Sequence, residues 1–286
     1  MNGFIAALRS EIHVGLATKG SKLVVLMPAV LVLLQLLLSK LSELGSNASA
    51  GLANGPGGFA NSAPNNAWGV FADGLGTGLI LLGLLLVAYS AYSFSFDRDT
   101  GAIRHLLIRR VSRPALILAK YVYFHLLAFC GVLFVLLIAY AGTASLWEFG
   151  PVVEDGFELI SEQEIRSEIL LGLRLALLPL PAAIALGVLV SVLANSATAA
   201  VTGALGITLA MDIFKSALGD WSAYLYASYQ PSILDESYLQ DVSSLVRGYS
   251  DVLVDQRLLD FNTWIPLPTL LLFLGLALFF VRGRKL

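Results

Sequence analysis

The sequence predicts an all-α membrane protein with six transmembrane helices, an N-terminal interfacial amphipathic helix and a short cytoplasmic helix between spans two and three. Of its 286 residues, 57% are hydrophobic and 13% are charged, whereas soluble domains carry about 25% charged residues. Several stretches exceed ~18 residues with almost no charge, which is typical of membrane-spanning helices. The one cysteine, Cys130, excludes an internal disulfide. We interpret the chain, 1–286, as a single transmembrane domain.

The predicted elements follow from apolar periodicity and length. Residues 3–17 place Phe4, Ala7, Leu8, Ile12 and Leu16 near one helical face, which predicts a helix lying in the membrane interface. The spans that follow are predicted at about 22–39, 75–95, 116–140, 170–194, 197–218 and 264–281. The longer connecting segments on the outer side are 40–74, 141–169 and 219–263.

Local composition predicts further features between and within the spans. The Gly/Asn/Ser/Pro-rich segment 45–69 indicates a flexible loop. A capping-box pair, Ser237 and Gln240, favours a surface helix at 237–247, with a second at 250–259. An interfacial aromatic belt is expected just past the fifth span. Its residues are Trp221, Tyr224, Tyr226 and Tyr229.

Two prolines in the fourth span, Pro179 and Pro181, should interrupt the backbone hydrogen bonds of that helix. One interpretation is a structural kink. The other is a flexing point near a substrate path. The sequence leaves both open.

The distribution of charge predicts the orientation in the membrane. The side that holds 1–22, 96–120 and 282–286 carries twelve basic and three acidic residues, and the opposite side carries six basic and sixteen acidic residues. Basic residues accumulate on the cytoplasmic side of membrane proteins. Both termini are therefore predicted to be cytoplasmic, and the expected location is the bacterial inner membrane.

Several kinds of chemistry have no motif in this chain. It contains no GxxxxGK[ST] phosphate loop, no GxSxG nucleophile elbow and no HExxH zinc pair. We therefore expect no enzymatic activity of the chain itself, no metal site, no bound cofactor and no nucleic-acid partner.

Asp212 is an acidic residue within the fifth span, where charged side chains are usually functional. Lys215 lies three residues later, and Arg174 lies at a similar depth in the fourth span. One interpretation is an ion pair that holds the spans together. The alternative is a contact for a substrate or a proton.

The segment 97–120 is a polar, basic interruption between spans two and three. Its residues Ile103, Leu106 and Leu107 alternate with basic side chains, which predicts a short amphipathic helix at the interface. The basic side chains are Arg104, His105, Arg109 and Arg110. One interpretation is a short helix on which a motor subunit pushes. The other is a basic loop at the membrane surface that has no partner.

This segment resembles the signature of type-2 ABC exporter permeases, E-x-E-x-G-T-L-x-x-L-L-x-x-P-V-S-R followed by G-K. The matching residues are Asp97, Asp99, Gly101, Ile103, Leu106, Leu107, Val111, Ser112, Arg113 and Lys120. The departures are Ala102 for threonine, Arg110 for proline and Ala119 for glycine.

The resemblance implies a coupling helix at 97–113 that fits a groove of a cytoplasmic ABC ATPase. It implies two copies of that ATPase, which hold ATP and Mg²⁺, beneath a homodimer of permease chains. The implied ATPase-coupling residues are Asp97, Arg98, Asp99, Gly101, Arg104, His105, Arg109, Arg110 and Arg113. In this family spans two and five line the path, and 3–17 resembles the connecting helix.

The expected function is therefore the permease subunit of an ATP-driven exporter, which drives substrate export or transmits force across the membrane. The acidic outer segments are either a solvated face or a docking surface for a periplasmic partner. The alternative function is a non-transporting membrane scaffold or anchor, which uses the basic loop for a protein partner or for anionic lipid.

Overall fold

The computed structural model describes residues 2–54, 66–103, 111–154, 156–232, 237–247 and 256–283. The helices are α1 Asn2–Ala17, α2 Lys19–Asn54, α3 Ala67–Asp99, α4 Arg113–Leu146, α5 Glu162–Leu177, α6 Leu180–Leu193, α7 Ala197–Phe214, α8 Tyr238–Val246, α9 Gln256–Trp264 and α10 Pro266–Gly283. Two short strands, β1 Val152–Glu154 and β2 Phe157–Ile160, form an antiparallel hairpin between α4 and α5.

Six helical stretches are long and apolar enough to cross a membrane, as predicted. They are Lys19–Ser49, Ala67–Asp99, Arg113–Leu146, Glu162–Leu193, Ala197–Tyr224 and Leu259–Gly283. The chain is an all-α membrane protein, and β1–β2 is the one sheet among the described residues. We call the end of the bundle where α3 ends and α4 begins the basic end, and the opposite end the acidic end.

The helices at the acidic end are longer than predicted. The expected loop 45–69 is helical to Asn54, and α3 already begins at Ala67, where Asn66 Oδ1 accepts a hydrogen bond from the Trp68 backbone N–H at 2.9 Å. The reason is tertiary packing, because the first turns of α3 pack their aromatic rings against Phe149, at 4.4 Å from Trp68. Residues 55–65 lie outside the described part of the chain.

Helix α3 is the centre of the bundle. It packs against α2, α4, α6, α7 and α8, and its apolar side chains are buried along most of its length. Its closest neighbour is α6, where Gly187 lies against the Val87 carbonyl and the Ser90 side chain. A Cβ atom at Gly187 would lie 2.7 Å from Val87 O, so only glycine permits this approach.

The fourth span is interrupted at the predicted prolines. Helix α5 ends at Leu177 and α6 begins at Leu180, with Pro179 at the boundary. The Pro179 carbonyl accepts from the backbone N–H groups of Ala182 and Ala183, both at 3.1 Å. The break therefore lies between two hydrogen-bonded helices.

The segment after the fifth span departs from the prediction. Helix α7 ends at Phe214, and 3₁₀ helices at Lys215–Tyr224 and Tyr226–Tyr229 follow. Tyr226 was expected in an interfacial belt, but it is 2% exposed and packs with Val87 and Ala204. We call residues 215–232 the returning segment, because they fold back into the bundle. The helix predicted at 237–247 is α8. Of the one predicted at 250–259, residues 256–259 belong to α9, and residues 250–255 lie outside the described part of the chain.

Helix α1 packs through most of the predicted face. Ala7 is buried and Phe4, Leu8 and Ile12 are partly buried against the core, whereas Leu16 is 72% exposed. Glu11 and Gly15, one and two turns after Ala7, extend the packing face. Gly15 leaves room for the ring of Tyr123 from α4.

Candidate functional site

The candidate site lies where α3 ends at the basic end. The Thr100 backbone N–H donates to Phe96 O at 2.9 Å, and the Gly101 N–H donates to Arg98 O at 3.0 Å. Gly101 has a φ of +74°, a left-handed conformation that glycine adopts without a steric penalty. This glycine ends α3 and turns the chain toward the segment that precedes α4.

A buried ion cluster joins three helices just before this turn. Lys120 of α4 is 2% exposed. Its Nζ lies 2.9 Å from Glu11 Oε1 of α1 and 2.5 Å from Asp97 Oδ2 of α3, and it donates to Ser93 Oγ at 2.8 Å. Two carboxylates and one hydroxyl thus account for the three N–H donors of the lysine.

Glu11 is the member of this cluster that the sequence did not assign. Asp97 and Lys120 belong to the recognised motif, but Glu11 lies 109 positions before Lys120. The available signal was its position between Ala7 and Gly15 on one face of α1. Burial raises the pKa of the Glu11 carboxyl above its ordinary value of 4.5, and the nearby Lys120 ammonium opposes that rise.

The next two residues of α3 bind the turn between α6 and α7. Arg98 Nη1 donates to the Ala194 carbonyl at 2.8 Å, at the C-terminus of α6. Asp99 Oδ2 accepts from the Ala197 backbone N–H at 2.7 Å, at the N-terminus of α7. Each side chain has the sign of charge that stabilises the helix end it contacts.

A buried serine pair reinforces the contact between α3 and α6 one turn away. The Ser95 backbone N–H donates to Ser191 Oγ at 3.0 Å, and Ser95 Oγ donates to Ser191 O at 2.7 Å. Both residues are fully buried. These hydrogen bonds fix the axial position of α6 relative to the end of α3.

The predicted coupling segment itself is described only at its borders. Arg104, His105, Arg109 and Arg110 lie outside the described residues. The flanking Ile103 and Val111 are buried, at 1% and 5% exposure. Arg113 begins α4, and its Nη1 donates to Arg282 O at 3.3 Å, near the end of α10.

We call Glu11, Asp97, Arg98, Asp99 and Lys120 the α3 joint. The joint connects α3 directly to α4, α6 and α7, and through Lys120 to α1. Five helices thus meet at the joint.

A second charged group lies near the acidic end of α7. Asp212 Oδ1 lies 2.7 Å from Lys215 Nζ, and Asp212 Oδ2 accepts from Ser232 Oγ at 2.6 Å. These contacts tie the end of α7 to the returning segment. Arg174, the other predicted partner, is exposed on α5 and forms no ion pair with Asp212.

A family model described as "Protein of unknown function (DUF2705)" matches residues 29–225. The match covers more than half of the chain. The chain belongs to this family. No curated protein sequence and no solved structure matches it.

The DUF2705 match includes most of the α3 joint. Asp97, Arg98, Asp99 and Lys120 lie within the matched range, as do Asp212 and Lys215, whereas Glu11 and α1 precede it. Within the described residues, no three His, Cys, Asp or Glu side chains are grouped in a way that could hold a metal ion.

Proposed function

We propose that this chain is the permease subunit of a bacterial ATP-driven exporter of the type-2 ABC class. In this proposal a separate ATPase hydrolyses ATP, and the permease converts its movement into substrate export or into force transmission across the membrane. The observation that supports the proposal is the α3 joint, because it lies directly beside the motif that resembles a coupling helix.

The joint suits the transmission of force. The ion pairs of the buried Lys120 are lost only at a high cost in free energy, so α1, α3 and α4 resist separation there, and Arg98 and Asp99 add hydrogen bonds to the turn between α6 and α7. In the proposed mechanism, the ATPase presses on the segment between Ile103 and Val111. Asp97 and Lys120 carry that movement to α1 and α4, and Arg98 and Asp99 carry it to α6 and α7.

The sidedness of the charges supports an ATPase partner at the basic end. A cytoplasmic ATPase meets the permease on the side where basic residues accumulate. We therefore propose that the α3 joint, α1 and both chain termini face the cytoplasm of a bacterial inner membrane. ATP and Mg²⁺ belong to the ATPase in this proposal.

The surface of α7 supports a second permease chain. Thr202, Gly206 and Ala210 are exposed and spaced four residues apart, and a Cβ at Gly206 would meet nothing within 4 Å. Small residues at this spacing let transmembrane helices pack closely. We propose a homodimer with this face of α7 at the interface and two ATPase copies beneath it.

The hairpin supports a further partner at the acidic end. Val153, Phe157 and Leu159 are 56%, 75% and 57% exposed, and acidic side chains such as Glu158 accompany them. Exposed apolar groups with polar neighbours are typical of protein interaction sites. In this extension of the proposal, a periplasmic protein binds there.

The decisive experiment is co-expression with a candidate ABC ATPase. We expect the ATPase to co-purify and its turnover to change on association. Arg109→Glu, or deletion of residues 101–110, should abolish both effects. Arg166→Glu is the matched control, because Arg166 is an exposed arginine at the other end of the bundle.

Two results would speak against the proposal. One is that association and turnover survive both changes at 101–110. The other is that the chain binds no ATPase while the protein remains folded, which favours the scaffold or anchor function instead.

A further inference from the structure

A cleft of about 800 Å³ opens at the basic end between α1, α3 and the first turns of α4. Its floor is the ion cluster of Glu11, Asp97 and Lys120. One wall is a row of three aromatic side chains on α3, Tyr89, Tyr92 and Phe96. We call it the aromatic cleft. Its volume is within the range of ordinary small-molecule sites, ~300–1,000 Å³.

The floor of the aromatic cleft carries an excess of negative charge. Glu11 and Asp97 place two carboxylates beside the single ammonium of Lys120. The lysine also donates to Ser93, so its donors are already engaged. An incoming anion would meet no free donor on this lysine, whereas a cation would be attracted by the second carboxylate.

The wall is a stack of rings, in which Tyr92 and Phe96 cover each other's facing sides and the outer side of Phe96 is the open ring surface. The centroids of Tyr92 and Phe96 lie 4.7 Å apart with an interplanar angle of 22°, and those of Tyr89 and Tyr92 lie 6.4 Å apart at 19°. Phe96 is 42% exposed. Aromatic faces attract organic cations, and ammonium groups are the cations most often bound in this way.

A third tyrosine adds an unused polar group. Tyr123 lines the cleft and is 8% exposed, and its hydroxyl forms no hydrogen bond of ordinary geometry, although the hydroxyls of Ser21 and Tyr89 lie near it. A buried hydroxyl without a partner is costly. The groups within reach of it are the Ser21 and Tyr89 hydroxyls, because the Tyr123 oxygen itself has almost no accessible surface.

We propose that the aromatic cleft binds an organic ammonium group attached to an apolar body. The acidic floor takes the ammonium, the rings of α3 take the adjoining carbon atoms, and the opening accommodates an apolar chain. Two sources share this chemistry: the ethanolamine headgroup of a membrane phospholipid and a free alkylammonium. The proposal concerns a ligand of this chain alone and does not depend on an ATPase partner.

The test measures the thermal unfolding midpoint of the purified full-length chain in a non-ionic detergent. Short-chain phosphatidylethanolamine, phosphatidylglycerol with the same acyl chains, and dodecylammonium are each titrated. We expect phosphatidylethanolamine to raise the midpoint and phosphatidylglycerol to leave it unchanged. If dodecylammonium also raises the midpoint, the ammonium group alone is recognised. If only phosphatidylethanolamine raises it, recognition requires the headgroup as part of the lipid. Both results support the site.

The variant that tests the location is Tyr92→Leu combined with Phe96→Leu. It removes the rings and keeps apolar side chains. The unfolding midpoint of the variant without ligand is measured to check that it folds. We expect about a two- to fivefold weaker apparent affinity, as for the loss of one cation–π contact at Phe96. The control is Phe279→Leu with Phe280→Leu, two neighbouring aromatic residues on α10, which should bind as the unchanged protein does.

The proposal is overturned if phosphatidylglycerol stabilises the protein as strongly as phosphatidylethanolamine does. It is equally overturned if no ammonium ligand shifts the midpoint, or if the Tyr92/Phe96 variant keeps the affinity of the unchanged protein.

Discussion

Lys120 is the residue whose charge matters most to the basic end of the bundle. It is buried, and it joins α4 to Glu11 of α1 and to Asp97 of α3. Removing one partner from a buried ion pair leaves an uncompensated charge, which costs more than the pair itself contributes.

We predict that Lys120→Met lowers the free energy of unfolding by about 3–5 kcal/mol, because Glu11 and Asp97 are then buried together without a cation. The measurement is denaturant unfolding of the purified protein in detergent. Arg166→Met is the control, since the Arg166–Glu162 pair is 61% and 36% exposed and should change the free energy by less than about 1 kcal/mol. Equal losses in the two variants would contradict the importance of the cluster.

Glu11 leads to a prediction about pH. Its pKa in the folded chain is raised above 4.5 by burial, so the folded state takes up a proton at a higher pH than the unfolded state does. This side chain therefore adds stability below the unfolded pKa, and that contribution is lost as the pH rises through the folded pKa.

The comparison that isolates this effect is the unchanged protein against Glu11→Gln, which cannot titrate at this position. As the pH falls through the mildly acidic range, the thermal unfolding midpoint of the unchanged protein should rise relative to that of Glu11→Gln. A shift in the opposite direction would show that the Lys120 ammonium outweighs burial at Glu11.

At the scale of single elements, the turn after α3 depends on one glycine. We predict that Gly101→Ala destabilises the protein by about 1–2 kcal/mol, because a left-handed conformation brings a Cβ atom too close to the following carbonyl. Gly101→Asn should cost less, since asparagine tolerates this conformation.

Gly275→Ala provides the matched control for Gly101. Gly275 lies inside α10, and a Cβ there meets nothing within 4 Å. Alanine should be neutral or stabilising at that position. The unfolding midpoints of the three variants are the readout, and a cost at Gly275 as large as that at Gly101 would refute the conformational argument.

Element by element, the sequence predicted what depends on length and apolarity. All six spans were located, because burial in lipid needs only ~20 apolar residues in a row. The ends of the spans were not located, because tertiary contacts decide them. For example, the contact between Trp68 and Phe149 decides where α3 begins. The return of Tyr226 into the bundle was also missed, because an aromatic residue after a span has the same local pattern on the surface and in the interior.

The candidate site was predictable only in part, for a similar reason. Motif spacing brought Asp97, Asp99 and Gly101 to attention, but the contacts of Asp97 with Lys120 and of Asp99 with Ala197 depend on how the helices pack. Glu11 could not be assigned, because the residues that it contacts are far away in the sequence.

At the scale of the whole molecule, the orientation in the membrane can be tested directly. We replace Cys130 by alanine and introduce a single cysteine at Ser112 or at Glu158, which lie at the basic and acidic ends. In intact cells, a maleimide that cannot cross the inner membrane should label the cysteine at 158 and not the one at 112. The reverse pattern would place the basic end outside and contradict the proposed ATPase contact.

The length of the central helices has a mechanical consequence. Helices α3 and α4, of 33 and 34 residues, are unbroken rods of about 50 Å in a hydrocarbon layer of about 30 Å. A tilt of about 5° at one end of such a rod moves the other end by about 4 Å. The fourth span is instead divided into α5 and α6 at Pro179. The α3 joint and the aromatic rings around Trp68 thus lie at opposite ends of one continuous helix, so a rigid tilt of α3 displaces one relative to the other.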